Sequence, residues 1–197
     1  MNADMPPRWA EQMLHMLLPP QDRQTVSGDL LEEYRESIFP ARGRRGADLW
    51  YLGQVMGFAW RGNEIWAALL GGAFVARTAM DWLLPTTDFH ARSAVSTIGS
   101  AGIFLSAGYL AAWRTASVRA GTFAGVVTAL LGAAVSIVGV TLLLAVWHDA
   151  PTFAAIEGSG GLAEVFTLPV MVVVPGAFLA TVGGLFGGAL RRLRHNP

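Results

Sequence analysis

Apolar residues are spread very unevenly along this chain. Up to about residue 64 they recur every three or four positions among charged residues. Beyond it they run together in blocks of about twenty or more. The first block, 65–84 (IWAALLGGAFVARTAMDWLL), has the length that crosses about 30 Å of hydrocarbon at about 1.5 Å per residue. Three more follow at 94–113, 121–147 and 169–190. Each is apolar on all sides, as expected of a helix surrounded by lipid or protein rather than water. The third is longer than a perpendicular crossing needs, so it should tilt or protrude. Pro169 suits the first turn of the fourth. Pro175-Gly176 inside it predicts a kink, because proline cannot donate to the preceding turn. The pattern predicts an all-α fold: a helical head over 1–64, a four-helix transmembrane bundle over 65–190 and a basic tail over 191–197.

Within the head, Pro6-Pro7 should open a helix on which Trp9, Met13, Met16 and Leu17 recur, up to Leu18. Pro19-Pro20 stops it and starts a second. There Val26, Leu30, Leu31, Tyr34 and Ile38 form one stripe, with Glu32, Glu33, Arg35 and Glu36 mostly off it. Gly28 weakens that helix by about 1 kcal/mol relative to alanine, so it should mark close packing or a bend. Pro40 is expected to end it before a basic loop, 41–46 (ARGRRG). A third helix over 47–60 then presents Leu49, Leu52, Val55, Met56, Ala59 and Trp60 on one face. Such stripes make a small three-helix core; the third helix would alternatively lie on the membrane surface or bind a partner.

Composition sharpens the membrane reading. The chain has 197 residues, of which 53% are hydrophobic and 14% charged, against about 25% charged in soluble domains. About half of the charges precede residue 65, which marks the one domain boundary. Cysteine is absent, excluding disulfides, thiolate metal sites and cysteine nucleophiles. The formal net charge of +0 argues against a nucleic-acid partner. The chain opens on polar residues, so the first span should act as an uncleaved insertion signal. Arginines cluster before it (Arg42, Arg44, Arg45, Arg61), between spans two and three (Arg114, Arg119) and in the tail (Arg191, Arg192, Arg194). Loop one has only Arg92; loop three has Asp149, Glu157 and Glu164 and no arginine. Both termini are therefore expected inside. Trp66 and Trp113 then fall at the inner interface, and Trp82 and Trp147 at the outer one.

Within the spans, Arg77 and Asp81 stand four apart and are expected to pair as an intramembrane charge pair, either as a snorkelling structural pair or as a site for substrate, ion or partner coupling. Gly121, Gly125, Ala129 and Ala133 form a small-residue stripe on the third span; Gly176, Ala180, Gly184 and Gly188 form another on the fourth. Such stripes let backbones approach closely, within one chain, across a homo-oligomer seam or against a partner. ALLGGA (68–73) and ALLGAA (129–134) faintly repeat, and GIFLSAG (102–108) faintly echoes GAFLATVG (176–183), as two tandem hairpins would. Asp88, His90, His148 and Asp149 have weak metal-ligand spacing, and no metal site is expected from them. Gly158 to Gly161 (GSGG) reads as a flexible linker. No nucleophile motif or phosphate loop occurs, so neither an enzyme nor a cofactor is expected.

The head also resembles a known family. Pro6, Pro7, Leu14, Leu18, Pro19, Pro20, Arg23, Gly28-Asp29-Leu30, Glu32, Glu33, Tyr34, Trp50 and Gln54 together are similar to the permease prefix domain of bacterial MacB-like ABC-transporter permeases. Pro19, Pro20, Gly28, Asp29, Leu30 and Tyr34 carry most of the likeness, which covers about residues 5–61. The resemblance implies a cytoplasmic adaptor at the bacterial inner membrane, beside a permease or transport ATPase, and brings no catalytic residues. Permeases of that family also have a large extracytoplasmic domain and a long membrane core, which this chain lacks. The expectation is therefore a non-enzymatic accessory or regulatory partner of an ABC-type permease. The alternative is a small oligomeric transporter or channel using Arg77 and Asp81.

Overall fold

Prolines punctuate the first elements. In the computed structural model, which describes residues 5–83, 89–148, 150–158 and 161–195, α1 (Arg8–Leu17) starts directly after Pro7. Pro19 and Pro20 lie in the turn to α2 (Arg23–Glu33). No strand occurs among the described residues, and the fold is all-α.

Pro40 does not end the second helix. The chain passes from α2 through a π turn, Tyr34–Ile38, straight into α3 (Phe39–Leu83). The π turn precedes the residue whose missing N–H would interrupt the ladder anyway. The expected basic loop shrinks to a single break at Gly43, with φ 64° and ψ 177°. Glycine adopts that conformation without a Cβ clash. Residues 44–83 then form one unbroken rod, about 60 Å long at about 1.5 Å per residue. The third head helix and the first expected span are thus one element. A rod that crosses the bilayer with residues 65–83 cannot also lie on its surface with 47–60.

The head core is built from Ala10, Leu14, Leu18, Leu30, Tyr34, Ala47, Tyr51 and Val55. The Tyr34 hydroxyl donates to Asp48 Oδ1 at 2.7 Å, and its ring meets Tyr51 edge-on, with centroids 6.1 Å apart. Burial, helped by the charge of Glu11, pushes the Tyr51 phenol up to about 12. The inward face of α3 is therefore Ala47, Tyr51, Val55 and Ala59. Leu49, Met56 and Trp60, expected on that face, are 70%, 44% and 47% exposed. Trp9 also points outward, while Ala10 and Leu14 take the core. Alanines at 10 and 47 let the helices close around two tyrosines, and the bulkier apolar side chains stay outside. Gly28 is not a close contact: a Cβ there would meet nothing within 4 Å.

Four long helices pack together: α3, α4 (Phe89–Thr115), α5 (Val118–Val146) and α8 (Val173–His195). Between α5 and α8 come α6 (Ala150–Gly158) and α7 (Gly161–Met171), where a loop was expected. Helix α5 packs on α3, α4 and α8, and α4 packs on α8. Helices α3 and α8 face each other across the bundle. Two equivalent hairpins would not pair so unequally, and the faint repeat has no counterpart in the packing.

Glycines set the spacing. A Cβ on Gly121 would lie 2.8 Å from the Gly108 carbonyl oxygen and 3.1 Å from Gly184 Cα. One on Gly125 would collide with Ala180 and lie 3.0 Å from the Gly176 carbonyl oxygen. Gly184 and Gly188 face Val118 of α5. Their neighbours Gly183 and Gly187 face the other way, against the carbonyls of Leu105 and Tyr109 on α4. Each glycine pair thus gives one residue to α4 and one to α5. Helix α8 fits between them backbone to backbone.

The fourth apolar block is divided differently from expectation. Pro169 lies inside α7, not at a first turn. The break falls at Val172, three residues before Pro175, because a proline ring crowds the carbonyl four residues earlier. The ladder resumes with the Gly176 N–H donating to the Val172 carbonyl at 2.8 Å. Among the described residues, two helical runs are long and apolar enough to cross a membrane: Val118–Val146 and Gly161–Arg194.

Gly183→Ala should therefore destabilise the bundle by about 1–3 kcal/mol, the usual cost of overpacking. Gly99→Ala, where a Cβ meets nothing within 4 Å, should be neutral or slightly stabilising. Reversible unfolding in mixed detergent micelles measures both.

Candidate functional site

Arg77 sits on α3 about 9 Å before its end at Leu83. Its guanidinium reaches across the bundle: Nη2 donates to Glu164 Oε1 at 3.2 Å. Glu164 occupies the first turn of α7, where a carboxylate also meets the positive end of the helix dipole. Gly161 begins that helix at φ +81°, a left-handed conformation that suits glycine. The Asp81 side chain, expected to be the partner of Arg77, lies outside the described residues.

The ion pair lines a cavity of about 310 Å³ bounded by α3, α4, α7 and α8. Ser96, Thr97 and Ser100 bring hydroxyls from α4. Phe74 and Phe104 supply aromatic rings, and Leu168, Val172 and Leu179 supply aliphatic wall. Pro175 and Gly176 place the kink in its lining. A Cβ on Gly176 would fall 2.5 Å from the Phe104 ring, so the glycine makes room for that ring beneath the kink. Chemically, the cavity offers a cation, an anion, hydroxyls and apolar surface within one enclosure.

At the opposite end of the bundle, arginines tie the helix ends together. The last carbonyls of a helix have no partner within it. At the end of α4 the Arg191 guanidinium donates to the carbonyls of Trp113 and Arg114, the latter at 2.7 Å. Arg23 of the head reaches the Thr115 carbonyl at 3.4 Å and the Leu18 carbonyl at 3.1 Å. Ala116, at φ 59°, makes the turn into α5. The head, the α4–α5 turn and the end of α8 therefore meet at one end of the molecule. Between head and bundle lies a smaller cavity of about 180 Å³, bordered by Leu17, Pro19, Phe58 and Trp66. Asn63, 4% exposed, ties α3 to α5 there. Its amide donates to the Ala59 carbonyl at 2.9 Å and accepts from Thr128 Oγ1 at 3.3 Å.

The other expected residues fall as follows. Ala129 is buried beside Leu70, Phe74 and Phe104, and Ala133 is buried further along the same helix. Of the prefix-type residues, Leu30 and Tyr34 enter the head core, Pro19 borders the junction cavity, and Pro20 and Asp29 are exposed. His148 is exposed, whereas Asp88, Asp149 and the His90 side chain lie outside the described residues. Among the described residues no three His, Asp or Glu side chains gather as metal ligands. Sequence reasoning missed Glu164, which it read as a loop residue, and the second glycine row at 183 and 187. The acidic residue just after a glycine-rich break was the available signal for Glu164; the doubled glycines were the signal for the row.

No protein-family model matches the chain, and comparison with curated proteins and with solved structures finds no match.

Proposed function

We propose that this chain is a non-enzymatic, four-span protein of the bacterial cytoplasmic membrane. Its cytoplasmic prefix-type head makes it an accessory or regulatory partner of an ABC-type permease or transport ATPase. In this reading α3 and α4 cross the bilayer beside the two more apolar helical runs. Arg77 is then paired, and Ser96 and Ser100 line a cavity. The arginine-rich end, holding Arg23, Arg114 and Arg191, is cytoplasmic. One observation carries the partner role. Leu49, Met56 and Trp60 project from the part of α3 that extends beyond the bilayer, where the head leaves them exposed. Large apolar side chains in a patch outside the membrane mark interaction surfaces. Gly53 and Gly57 on the same stretch are open, with nothing within 4 Å of a Cβ, so a partner backbone can come close.

Affinity purification from native membranes in mild detergent should recover a permease or transport ATPase. Leu49→Glu combined with Trp60→Glu should reduce that recovery by about tenfold, as loss of a few anchor side chains does. Recovery of the bait alone from wild-type membranes contradicts the proposal.

The cavity beside Arg77 favours a second reading, a small oligomeric transporter or channel, since transport sites often lie at interrupted helices. Reconstituted solute flux that disappears in Arg77→Gln would select it; its absence from wild-type vesicles would remove it.

A further inference from the structure

We propose that the cavity at Arg77 and Glu164 is a binding site for a zwitterion, a group carrying one ammonium and one phosphate or carboxylate a few bonds apart. The proposal depends on neither the permease partnership nor transport, and it stands or falls separately from both.

The ion pair forms part of the cavity wall. Its side chains stand 3.2 Å apart yet keep 21% and 41% of their surface accessible, so a guest can reach both. A singly charged guest that paired with one of them would have to break its 3.2 Å contact with the other and offer nothing in return. A guest with both charges replaces the internal pair by two new ones, and no charge is stranded. The Arg77 fork matches the oxygens of a phosphate or carboxylate. Glu164 takes the ammonium. Ser100 and its neighbours on α4 supply hydroxyls for the remaining acid oxygens.

Size narrows the class further. A volume of about 310 Å³ equals about ten waters at roughly 30 Å³ each. It accommodates a lipid headgroup or a small free solute and leaves no room for acyl chains. A lipid would lay its chains outside, where Val174 and Phe178 on α8 are 78% and 69% exposed.

Full-length protein in nonionic detergent is titrated calorimetrically with dihexanoyl-phosphatidylethanolamine, glycerophosphoethanolamine and dihexanoyl-phosphatidylglycerol. The phosphatidylethanolamine should bind saturably and at least about tenfold more tightly than the anionic phosphatidylglycerol. Glycerophosphoethanolamine binding as tightly would identify a free solute as the guest; weaker binding would identify the lipid. Glu164→Gln removes the carboxylate that meets Arg77 in the cavity wall and should reverse the preference towards phosphatidylglycerol, a change that a merely structural ion pair would not produce. Ser100→Leu fills the cavity without touching either charge and should abolish binding. Failure of both zwitterions to bind wild-type protein overturns the proposal. So does equal affinity for phosphatidylglycerol, unchanged binding in Ser100→Leu, or loss of binding without reversal in a Glu164→Gln protein whose circular dichroism is native.

Discussion

The missing side chains at Gly183, Gly184, Gly187 and Gly188 govern how the long helices meet. With hydrogen alone at these positions, α8 contacts the backbones of α4 and α5 at once. Between helices in lipid, where no water is expelled, such contact supplies much of the attraction. The same close approach brings Arg191 to the end of α4, where it satisfies carbonyls that have no partner within the helix. The head joins this tight end through Arg23. Towards the other end of α8 the packing changes character. Pro175 breaks the helix at Val172, α7 departs, and the space enclosed beside α3 becomes the cavity. One helix therefore contains both a close backbone seam and an edge of the cavity beside Arg77.

Helix α3 gives the molecule its second constraint. Because it runs unbroken from the break at Gly43 to Leu83, the head core around Tyr51 and the cavity residue Arg77 lie on a single rod. Movement of one end relative to the other requires that rod to tilt or bend. Asn63 and Thr128 tie it to α5 midway, in a buried hydrogen bond. An event at the cavity and an event at the exposed Leu49–Trp60 face are thus connected by a stiff element.

How far this arrangement could be read beforehand depended on the range of each interaction. Helical periodicity is local, and the all-helical character followed from it. So did a break near Pro175, since an absent N–H acts within one turn. The continuity of α3 was hidden because ARGRRG has loop composition, while only Gly43 departs from helical geometry. The burial of Ala47 and Tyr51 in place of Leu49 and Trp60 was hidden for another reason: two apolar faces compete on that helix, and tertiary packing chooses between them. Glu164 as a partner of Arg77 was out of reach of local reasoning, because the two stand 87 residues apart. The cavity itself comes from four helices, and no single stretch of sequence encodes it.

The central claim is that these helices cross a bilayer with the tied end in the cytoplasm and the cavity end facing outward. The natural sequence has no cysteine, so single cysteines at Arg44, Glu157 and Arg192 report orientation without background. A membrane-impermeant maleimide added to intact cells should label the variant at 157 and leave those at 44 and 192 unmodified until the membrane is opened. Labelling of 44 or 192 in intact cells, or protection of 157, would contradict the account.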